Sequence, residues 1–313
     1  MEIRSVAVIG GGLMGSGIAQ VTARAGVRTV VVRGSGGPIA KLREKIEKAL
    51  GSELERGKLT AEERDFTLAN LVWGDAIDQA AECDLVIESI LEDIALKRAL
   101  FEKLDGLARS QTIFASNTST LRIGDLAAAT GRAERFLGMH FFNPPTAMKL
   151  CEVIPAKETT AEVTDTARAF VLRVNKTPVV VRDAPGFVVN RLLVPYLLDA
   201  VRLLEEGVAG LGDIDTSMQL GAGLPLGPFA LMDLIGLDVC LEMSKNLYAA
   251  MQGPRLSPPA LLRKLVNDGA LGRKAGRGFY DYSQKPPVPV RGLGPRHVVQ
   301  ASDRPAVGRG AME

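Results

Sequence analysis

Residues 5–26 read SVAVIGGGLMGSGIAQVTARAG, and this stretch decides the fold. The apolar run Val6–Ile9 predicts a buried strand, and small and apolar residues then recur at helical spacing up to Gly26, where a helix can end. The β-branched run Thr29–Val32 predicts a second strand. A strand, a helix and a strand within about thirty residues indicate a parallel pair with a right-handed crossover.

Three glycines join the first strand to the helix in the spacing G-x-G-x-x-G, namely Gly10, Gly12 and Gly15. The first permits a tight turn, the second lets the backbone approach a pyrophosphate, and the third lets helix and strand pack closely. The helix N-terminus then faces the anion. Alone, the motif could be three flexible glycines, but its place between a strand and a helix favours a dinucleotide site. Leu13 and Met14 lie between these glycines and belong to the predicted cofactor-binding set.

Further strands and helices alternate up to about residue 184. Strands are predicted in CDLVIESI, TIFASNTS, RFLGMHFFN, LCEVIP and TPVVVRD, and helices over Lys41–Arg56, Ala95–Leu107 and Ile123–Ala129. The segment TAEERDFTLANL adds a helix that opens with Thr60 and Glu63, the two residues of a capping box. This alternation predicts an α/β fold with a doubly wound, Rossmann-type domain.

The pattern changes at Pro185. The stretches PGFVVNRLLVPYLLDAVRLLEEG and PLGPFALMDLIGLDVCLEMSKNLYAAM show long apolar helical patterns with no strand signal. We therefore predict a dinucleotide-binding domain over residues 1–184 and an all-α substrate and dimerisation domain over residues 185–283. Residues 284–313, rich in Pro, Gly and Arg, are predicted to be a flexible tail. The helical domain carries more apolar surface than one small bundle buries, so we expect a homodimer.

Composition narrows the class of protein. The 313 residues suit two domains, and 46% hydrophobic and 24% charged residues are typical of a globular protein. A net charge of +2 gives no reason to expect nucleic acid or a membrane as a partner. Cys83, Cys151 and Cys240 lie far apart, so we expect neither a disulfide framework nor a metal site. With no export signal, a cytoplasmic location is expected.

An arginine stands where a nucleotide-binding fold of this kind has an acid. The second strand runs into Arg33 in RTVVVRGSGG, residues 28–37. A guanidinium cannot accept hydrogen bonds from ribose hydroxyls, but it can pair with a 2′-phosphate, to which Ser35 and the Gly34 amide could also donate. We therefore predict a preference for NADP(H) over NAD(H). The alternative is that Arg33 is a solvated residue at the start of a loop and either cofactor is accepted.

A histidine and a glutamate lie within neighbouring apolar strands. His140 ends the strand in GMHFFNPP, at the edge of the sheet that usually faces ligands. Glu152 stands inside the apolar run LCEVIP, where an acid is costly to bury without a partner. The two residues together predict an acid–base dyad, with the carboxylate fixing the imidazole tautomer. The chain's other histidine, His297, falls in the predicted tail.

The motifs together identify a family. The stretches VIGGGLMGSGIAQVTARAG, DLVIESILED, ASNTST, GMHFFNPP, EVIP, APGFVVNRLL, GAGLPLGPFALMDLIGLD and GRKAGRGFYDYS resemble, in order and spacing, the short-chain L-3-hydroxyacyl-CoA dehydrogenases. The resemblance is greatest to the bacterial 3-hydroxybutyryl-CoA dehydrogenases and covers about residues 3–283. It implies a dinucleotide-binding domain followed by a helical domain that dimerises.

The resemblance implies a role for each matching residue. His140 would be the general base for the 3-hydroxyl proton, and Glu152 would orient it. Substrate contacts are implied for Ser119 and Asn190, and a contact with the CoA moiety for Lys48. Cofactor contacts are implied for Glu92, Lys97, Asn117 and Asn143. Simpler alternatives are a turn for Ser119, a helix cap for Asn190, a surface pair for Glu92 and Lys97, and a solvated helix position for Lys48.

The chain also departs from the family. Most members use NAD and carry an acid at the position of Arg33, many have His where this chain has Leu224, and the tail has no counterpart. The leading hypothesis is a dehydrogenase of short 3-hydroxyacyl-CoA thioesters. One alternative is action on a hydroxyacyl group bound to acyl carrier protein. A remote alternative, disfavoured by the intact candidate catalytic residues, is a non-catalytic structural or nucleotide-binding protein.

Overall fold

The computed structural model describes residues 1–34 and 38–294. It divides into two compact units, Met1–Phe187 and Val188–Glu313, whereas the sequence places the domain boundary at residue 185. Ser35 and the part of the predicted tail beyond residue 294 lie outside the described residues.

The first unit is built on an eight-stranded sheet. Its strands are β1 Ser5–Ile9, β2 Arg28–Val32, β3 Leu71–Gly74, β4 Leu85–Glu88, β5 Ile113–Ser116, β6 Phe136–Phe141, β7 Leu150–Pro155 and β8 Thr177–Val180. They are ordered 3-2-1-4-5-6-7-8, and every neighbouring pair is parallel except β6 with β7. Because the chain runs outward from β1 in one direction and then from β4 in the other, a crevice opens between the ends of these two strands, where doubly wound sheets bind ligands.

Helices cover both faces of this sheet. They are α1 Leu13–Arg24, α2 Ile39–Glu55, α3 Ala61–Ala69, α4 Asp78–Ala81, α5 Ile94–Asp105, α6 Ile123–Ala127 and α7 Ala161–Arg173. Side chains alternate along each strand, so Val6 and Val8 pack in one apolar core while Ala7 and Ile9 pack in another. Burial on both faces explains why the parallel strands are continuous apolar runs. The predicted doubly wound α/β fold is confirmed.

The local signals in the sequence were of unequal strength. The capping box of α3 is formed, since Thr60 Oγ1 accepts from the Glu63 amide at 3.1 Å and Glu63 Oε2 accepts from the Thr60 amide at 2.8 Å. Three elements, β3, α4 and α7, are not predicted from the sequence. The first two are only four residues long, and α7 carries polar residues through most of its first half.

The second unit is helical, as the sequence predicts. It contains α8 Val189–Glu206, α9 Leu211–Ala222, α10 Pro228–Ile235, α11 Leu237–Met251 and α12 Ala260–Asn267, followed by the short antiparallel strands β9 Tyr280–Asp281 and β10 Val288–Pro289. The prediction of a flexible tail from residue 284 did not anticipate the pairing of β10, which leaves Val290 buried. Within residues 1–34 and 38–294, the structure contains no helix that is both long and apolar enough to cross a membrane.

Candidate active site

His140 and Glu152 face each other across the antiparallel pair β6 and β7. They are direct partners in the strand register, and His140 Nδ1 lies 2.7 Å from Glu152 Oε2. Both side chains are buried, with 6% and 1% of each residue exposed. A carboxylate can only accept, so a neutral imidazole in this contact carries its proton on Nδ1 and leaves Nε2 as an acceptor. The geometry therefore suits His140 to take up a proton at Nε2.

Strand β6 carries His140 past the edge shared by its parallel neighbours. The last residues of β1, β4 and β5 are aligned in register, and their row continues to Gly138 of β6. His140 stands two residues beyond this row, where β6 pairs only with β7. Its imidazole packs beside two aromatic rings, with centroids 4.5 Å away in Phe142 and 5.5 Å away in Phe187. The histidine thus lies at the ligand-facing edge within apolar walls.

Asn117 ties the ends of three strands together at this edge. Its Oδ1 accepts from the Phe141 amide at 2.9 Å, and its Nδ2 donates to Ser89 Oγ at 3.3 Å. Its own amide donates to the Glu88 carbonyl at 2.8 Å. Asn117 follows β5, Ser89 follows β4 and Phe141 ends β6, so one side chain fixes the spacing of the edge on which His140 lies.

The glycine turn has the geometry that a pyrophosphate requires. Gly10 has φ +133°, and a Cβ there would lie 2.2 Å from the Ser89 carbonyl oxygen. A Cβ at Gly15 would lie 2.0 Å from the Gly10 carbonyl oxygen, so helix and turn touch backbone to backbone. At Gly12, by contrast, a Cβ would meet no atom within 4 Å. Gly12 is also the N-cap of α1 and supplies no side-chain cap, so the first amides of the helix face open space.

The other members of the cofactor set predicted around this turn differ in exposure. Leu13, the first residue of α1, is 60% exposed, and Met14 is half-buried. These residues and the open N-terminus of α1 fit the phosphates of a dinucleotide.

Two cations lie beside the glycine turn. Arg33 Nη1 donates to the Pro38 carbonyl at 3.1 Å, and the Arg33 Cγ passes 3.8 Å from the position of a Cβ on Gly11. Lys45 of α2 places its Nζ 3.5 Å from the Gly11 carbonyl oxygen. Lys45 is not predicted from the sequence. The contact of Leu42, one turn earlier, with Gly11 shows which face of α2 approaches the turn. Lys48, the predicted CoA contact, is exposed on the same helix.

A buried ion network lies under the loop that carries Ser119. Lys97 Nζ contacts Glu88 Oε1 at 2.6 Å and Glu92 Oε2 at 3.3 Å, and the Lys97 side chain is 1% exposed. Glu88 is fully buried and also accepts from Ser116 Oγ at 2.6 Å and from the Ile90 amide at 2.6 Å. The ion pair between Lys97 and Glu92 that the simpler alternative expects is formed, but Lys97 is buried, so this pair does not lie at the surface.

Glu92 connects this network to the backbone around Ser119. Its Oε1 accepts from Thr118 Oγ1 at 2.6 Å and from the amides of Ser119 and Thr120 at 2.8 and 3.1 Å. Burial alone would raise the pKa of Glu92, but Lys97 and these donors outweigh it and hold the pKa below its usual range. The carboxylate is therefore charged at neutral pH and holds the loop on which Ser119 lies.

Glu88 is the member of this network that the sequence analysis missed. An acid inside the apolar run LVIES is the same signal that singled out Glu152. Its partner could not be read from that run, because Lys97 lies nine residues on in another element.

The remaining predicted residues occupy different parts of the chain. Ser119 is half-buried after β5, and Asn143 is exposed in the loop after β6. Asn190 belongs to the second unit, where it is the second residue of α8 and is buried. The N-cap of α8 is Val188, so Asn190 does not occupy the capping position.

Comparisons with known proteins match nearly the whole folded chain. The protein-family model of the 3-hydroxyacyl-CoA dehydrogenase NAD-binding domain matches residues 5–184. The family model of the 3-hydroxyacyl-CoA dehydrogenase C-terminal domain matches residues 186–282. A mitochondrial hydroxyacyl-coenzyme A dehydrogenase of Sus scrofa is 44% identical, with 90% of this chain and 91% of the relative covered. A probable 3-hydroxybutyryl-CoA dehydrogenase of Bacillus subtilis is 42% identical, with coverage of 91% and 99%.

A solved structure agrees with these matches. The crystal structure of (S)-3-hydroxybutyryl-CoA dehydrogenase from Ralstonia eutropha superposes with a TM-score of 0.85 at 40% identity. The match covers 90% of this chain and all of that one.

Replacing Lys97 with Met should destabilise the first unit by about 3–5 kcal/mol, because two carboxylates then lose their cation and one of them is fully buried. The measurement is urea unfolding followed by the fluorescence of Trp73, the chain's one tryptophan, which lies in β3. Lys103→Met, at an exposed position of the same helix, is the matched control and should change stability by less than about 0.5 kcal/mol. Equal stability of the two variants would contradict a buried ion network.

Proposed function

This chain belongs to the 3-hydroxyacyl-CoA dehydrogenase family, and we propose that it interconverts 3-hydroxyacyl-CoA and 3-ketoacyl-CoA thioesters with a nicotinamide cofactor. We propose short acyl chains, such as those of 3-hydroxybutyryl-CoA and acetoacetyl-CoA. Two relatives whose names include 3-hydroxybutyryl-CoA dehydrogenase are 42% and 40% identical to this chain. The observation that carries the proposal is the buried contact between His140 and Glu152 at the ligand-facing edge of the sheet.

His140 and Glu152 would move the proton of this reaction. In the oxidative direction His140 Nε2 takes the proton from the 3-hydroxyl group, and Glu152 at Nδ1 stabilises the imidazolium that forms. In the reductive direction the same imidazolium returns the proton to the oxygen on C3. The bound nicotinamide supplies the hydride chemistry at C3 itself. The aromatic rings of Phe142 and Phe187 limit the access of water to the imidazole.

Substrate binding is proposed for three residues. Ser119 and Asn190 would hold the substrate oxygen and the thioester end, and so polarise the carbonyl or carbinol group. Glu92 supports this role of Ser119, since its carboxylate accepts from the Ser119 amide and hydroxyl group. Lys48, exposed on α2, is proposed to contact the CoA moiety.

A cofactor with a 2′-phosphate is proposed over NAD(H). The glycine turn would hold the pyrophosphate, with Gly10, Gly12, Leu13, Met14 and Gly15 around it and Glu92, Lys97, Asn117 and Asn143 toward the nicotinamide. Arg33 stands at the end of β2, where an acid would be needed to accept from ribose hydroxyl groups. Lys45 adds a second positive charge beside Gly11 of the turn. Two cations there favour NADP(H), because a phosphate gains charge-assisted hydrogen bonds from both.

A homodimer through the helical unit is proposed from its exposed apolar side chains. Leu192 of α8 is 70% exposed and Leu220 of α9 is 83% exposed. Between these helices lies an apolar groove of about 590 Å³. Its walls include Leu192, Tyr196, Met218 and Leu224, the last at the position where many family members have His. Exposed apolar area of this kind is typical of protein interfaces.

The direct test is to mix the purified protein with acetoacetyl-CoA and follow the oxidation of NADPH and NADH side by side at 340 nm. We expect reduction with both cofactors, faster with NADPH at low cofactor concentration. The same assay with acetoacetyl groups on acyl carrier protein separates the two carriers, and we expect the CoA thioester to give the higher kcat/KM. No thioester-dependent oxidation of either cofactor would refute the proposed function.

His140→Gln should lower kcat by roughly a hundredfold to ten-thousandfold, because glutamine keeps a similar shape but cannot take up the proton. Cofactor affinity, measured by titration of NADPH fluorescence, should stay close to that of the unmodified protein. The matched control is His297→Gln, which changes the chain's other histidine and should keep full turnover. A near-normal kcat for His140→Gln would show that another group is the base.

Arg33→Asp should lower the ratio of kcat/KM for NADPH over NADH by roughly tenfold to a hundredfold, the effect of losing a charge-assisted hydrogen bond of about 1.5–3 kcal/mol. Lys45→Met should shift the ratio in the same direction by a smaller factor. Lys41→Met, at an exposed position near the start of α2, is the control and should leave the ratio unchanged. An unchanged ratio for Arg33→Asp would show that either cofactor is accepted without discrimination at this position.

A further inference from the structure

The loop between β6 and β7, residues 142–149, is held by a buried lysine from another part of the chain. Lys176 Nζ donates to the Pro145 carbonyl at 2.5 Å and to the Met148 carbonyl at 2.6 Å. Only 6% of Lys176 is exposed. The loop itself closes on the Pro144 carbonyl, which accepts from the Met148 amide at 3.0 Å. The Lys176 ammonium therefore binds two carbonyl groups of one tight turn.

The backbone after α7 directs this lysine at the loop. Asn175 has φ +58°, a left-handed conformation that reverses the chain at the end of α7. The Lys176 amide then donates to the Val171 carbonyl, and the next residue, Thr177, donates to the Lys149 carbonyl at 2.7 Å. Hydrogen bonds of the Lys176 and Thr177 amides thus hold the backbone at this position, and they direct the Lys176 side chain toward the loop.

The ammonium is in an unusual position for a charged group. In the described part of the chain it makes no ion pair with a carboxylate, and its acceptors are two carbonyl groups. Burial, together with the charges of Lys149 and Arg24, lowers the pKa of Lys176. Burying a charge without a counterion costs free energy of folding. If this position served packing alone, an apolar side chain would therefore be more favourable than a lysine.

The opposite side of the loop packs against the helix that follows the glycine turn. A Cβ on Gly17 of α1 would lie 2.8 Å from Pro145 Cδ and 2.9 Å from Pro145 Cγ. Only a glycine lets α1 and the loop approach this closely. Gly17 and Lys176 together hold Pro145 between them, and so fix the loop relative to the end of α1 that faces the phosphates.

We propose that Lys176 is a positioning residue for the nicotinamide end of the cofactor, acting through loop 142–149 and its residue Asn143. The inference rests on the proposed function, because it needs a dinucleotide with its pyrophosphate at the glycine turn. Lys176 has no contact with Gly10, Gly12, Gly15, Arg33 or Lys45 among the interactions of the described residues. Its effect is therefore confined to one half of the cofactor.

This confinement gives a test that separates positioning from general stability. Lys176→Met keeps most of the length and volume of the side chain and removes both hydrogen bonds. Calorimetric titration with NADPH should show an affinity roughly tenfold lower, the order expected when charge-assisted bonds that fix a loop are lost. Titration with 2′-phospho-ADP-ribose, which lacks the nicotinamide, should give an affinity within about twofold of the unmodified protein, since its contacts with the turn are unchanged. kcat with acetoacetyl-CoA should fall as well.

Three further variants complete the experiment. Lys149→Met, at an exposed position of the same loop, should leave both affinities unchanged. Lys176→Arg should restore part of the NADPH affinity, because it keeps a charged donor. Gly17→Ala displaces Pro145 from the other side and should reproduce the selective loss, which keeps the test available if Lys176→Met does not fold.

The possible results separate the inference from the function on which it rests. Equal losses of affinity for NADPH and for 2′-phospho-ADP-ribose, or no loss for either, would overturn the positioning role alone. If the unmodified protein binds neither NADPH nor NADH, the proposed function fails and the positioning role fails with it.

Discussion

The antiparallel pairing of β6 with β7 is the constraint on which the rest of the candidate site depends. Five parallel strands set one edge of the sheet, and β6 then runs past that edge with only β7 beside it. The register places an imidazole opposite a carboxylate, so the partner that Glu152 needs in order to be buried is already in place. If the register of β7 against β6 shifted by one residue, the two side chains would lie on opposite faces of the sheet.

The same pairing explains the loop between the two strands. Because β7 returns antiparallel to β6, the connection is only eight residues long and stays at the ligand-facing edge. It carries Asn143 and packs on α1 through Pro145. Strand β8 follows parallel to β7, which brings Lys176 beside the start of β7 and within reach of the loop. One choice of strand direction therefore positions His140, Glu152 and the loop together.

Charge is distributed unevenly over this edge. Below the Ser119 loop, Glu88 and Glu92 share one buried lysine, and donors from neighbouring strands and loops satisfy their remaining oxygens. Beside the glycine turn, by contrast, Arg33 and Lys45 stand near backbone carbonyl groups, and each could bind an anionic ligand. The first arrangement holds loops in place, whereas the second is suited to recognition. The proposed preference for NADP(H) therefore concerns side chains beside the glycine turn and leaves the fold and the contact between His140 and Glu152 unaffected.

The sequence by itself determined the elements and the chemistry that lie close together along the chain. The glycine spacing, the apolar runs, the capping box of Thr60 and Glu63 and the acid in LCEVIP each act within a few residues, so local physical chemistry is enough to interpret them. His140 and Glu152 could be paired because they lie on successive strands, twelve residues apart. Only the tertiary structure decided which distant groups meet: Lys45 with Gly11 across 34 residues and Lys176 with Pro145 across 31. Such contacts depend on strand order and on how helices pack over the sheet, which periodicity along the chain does not specify.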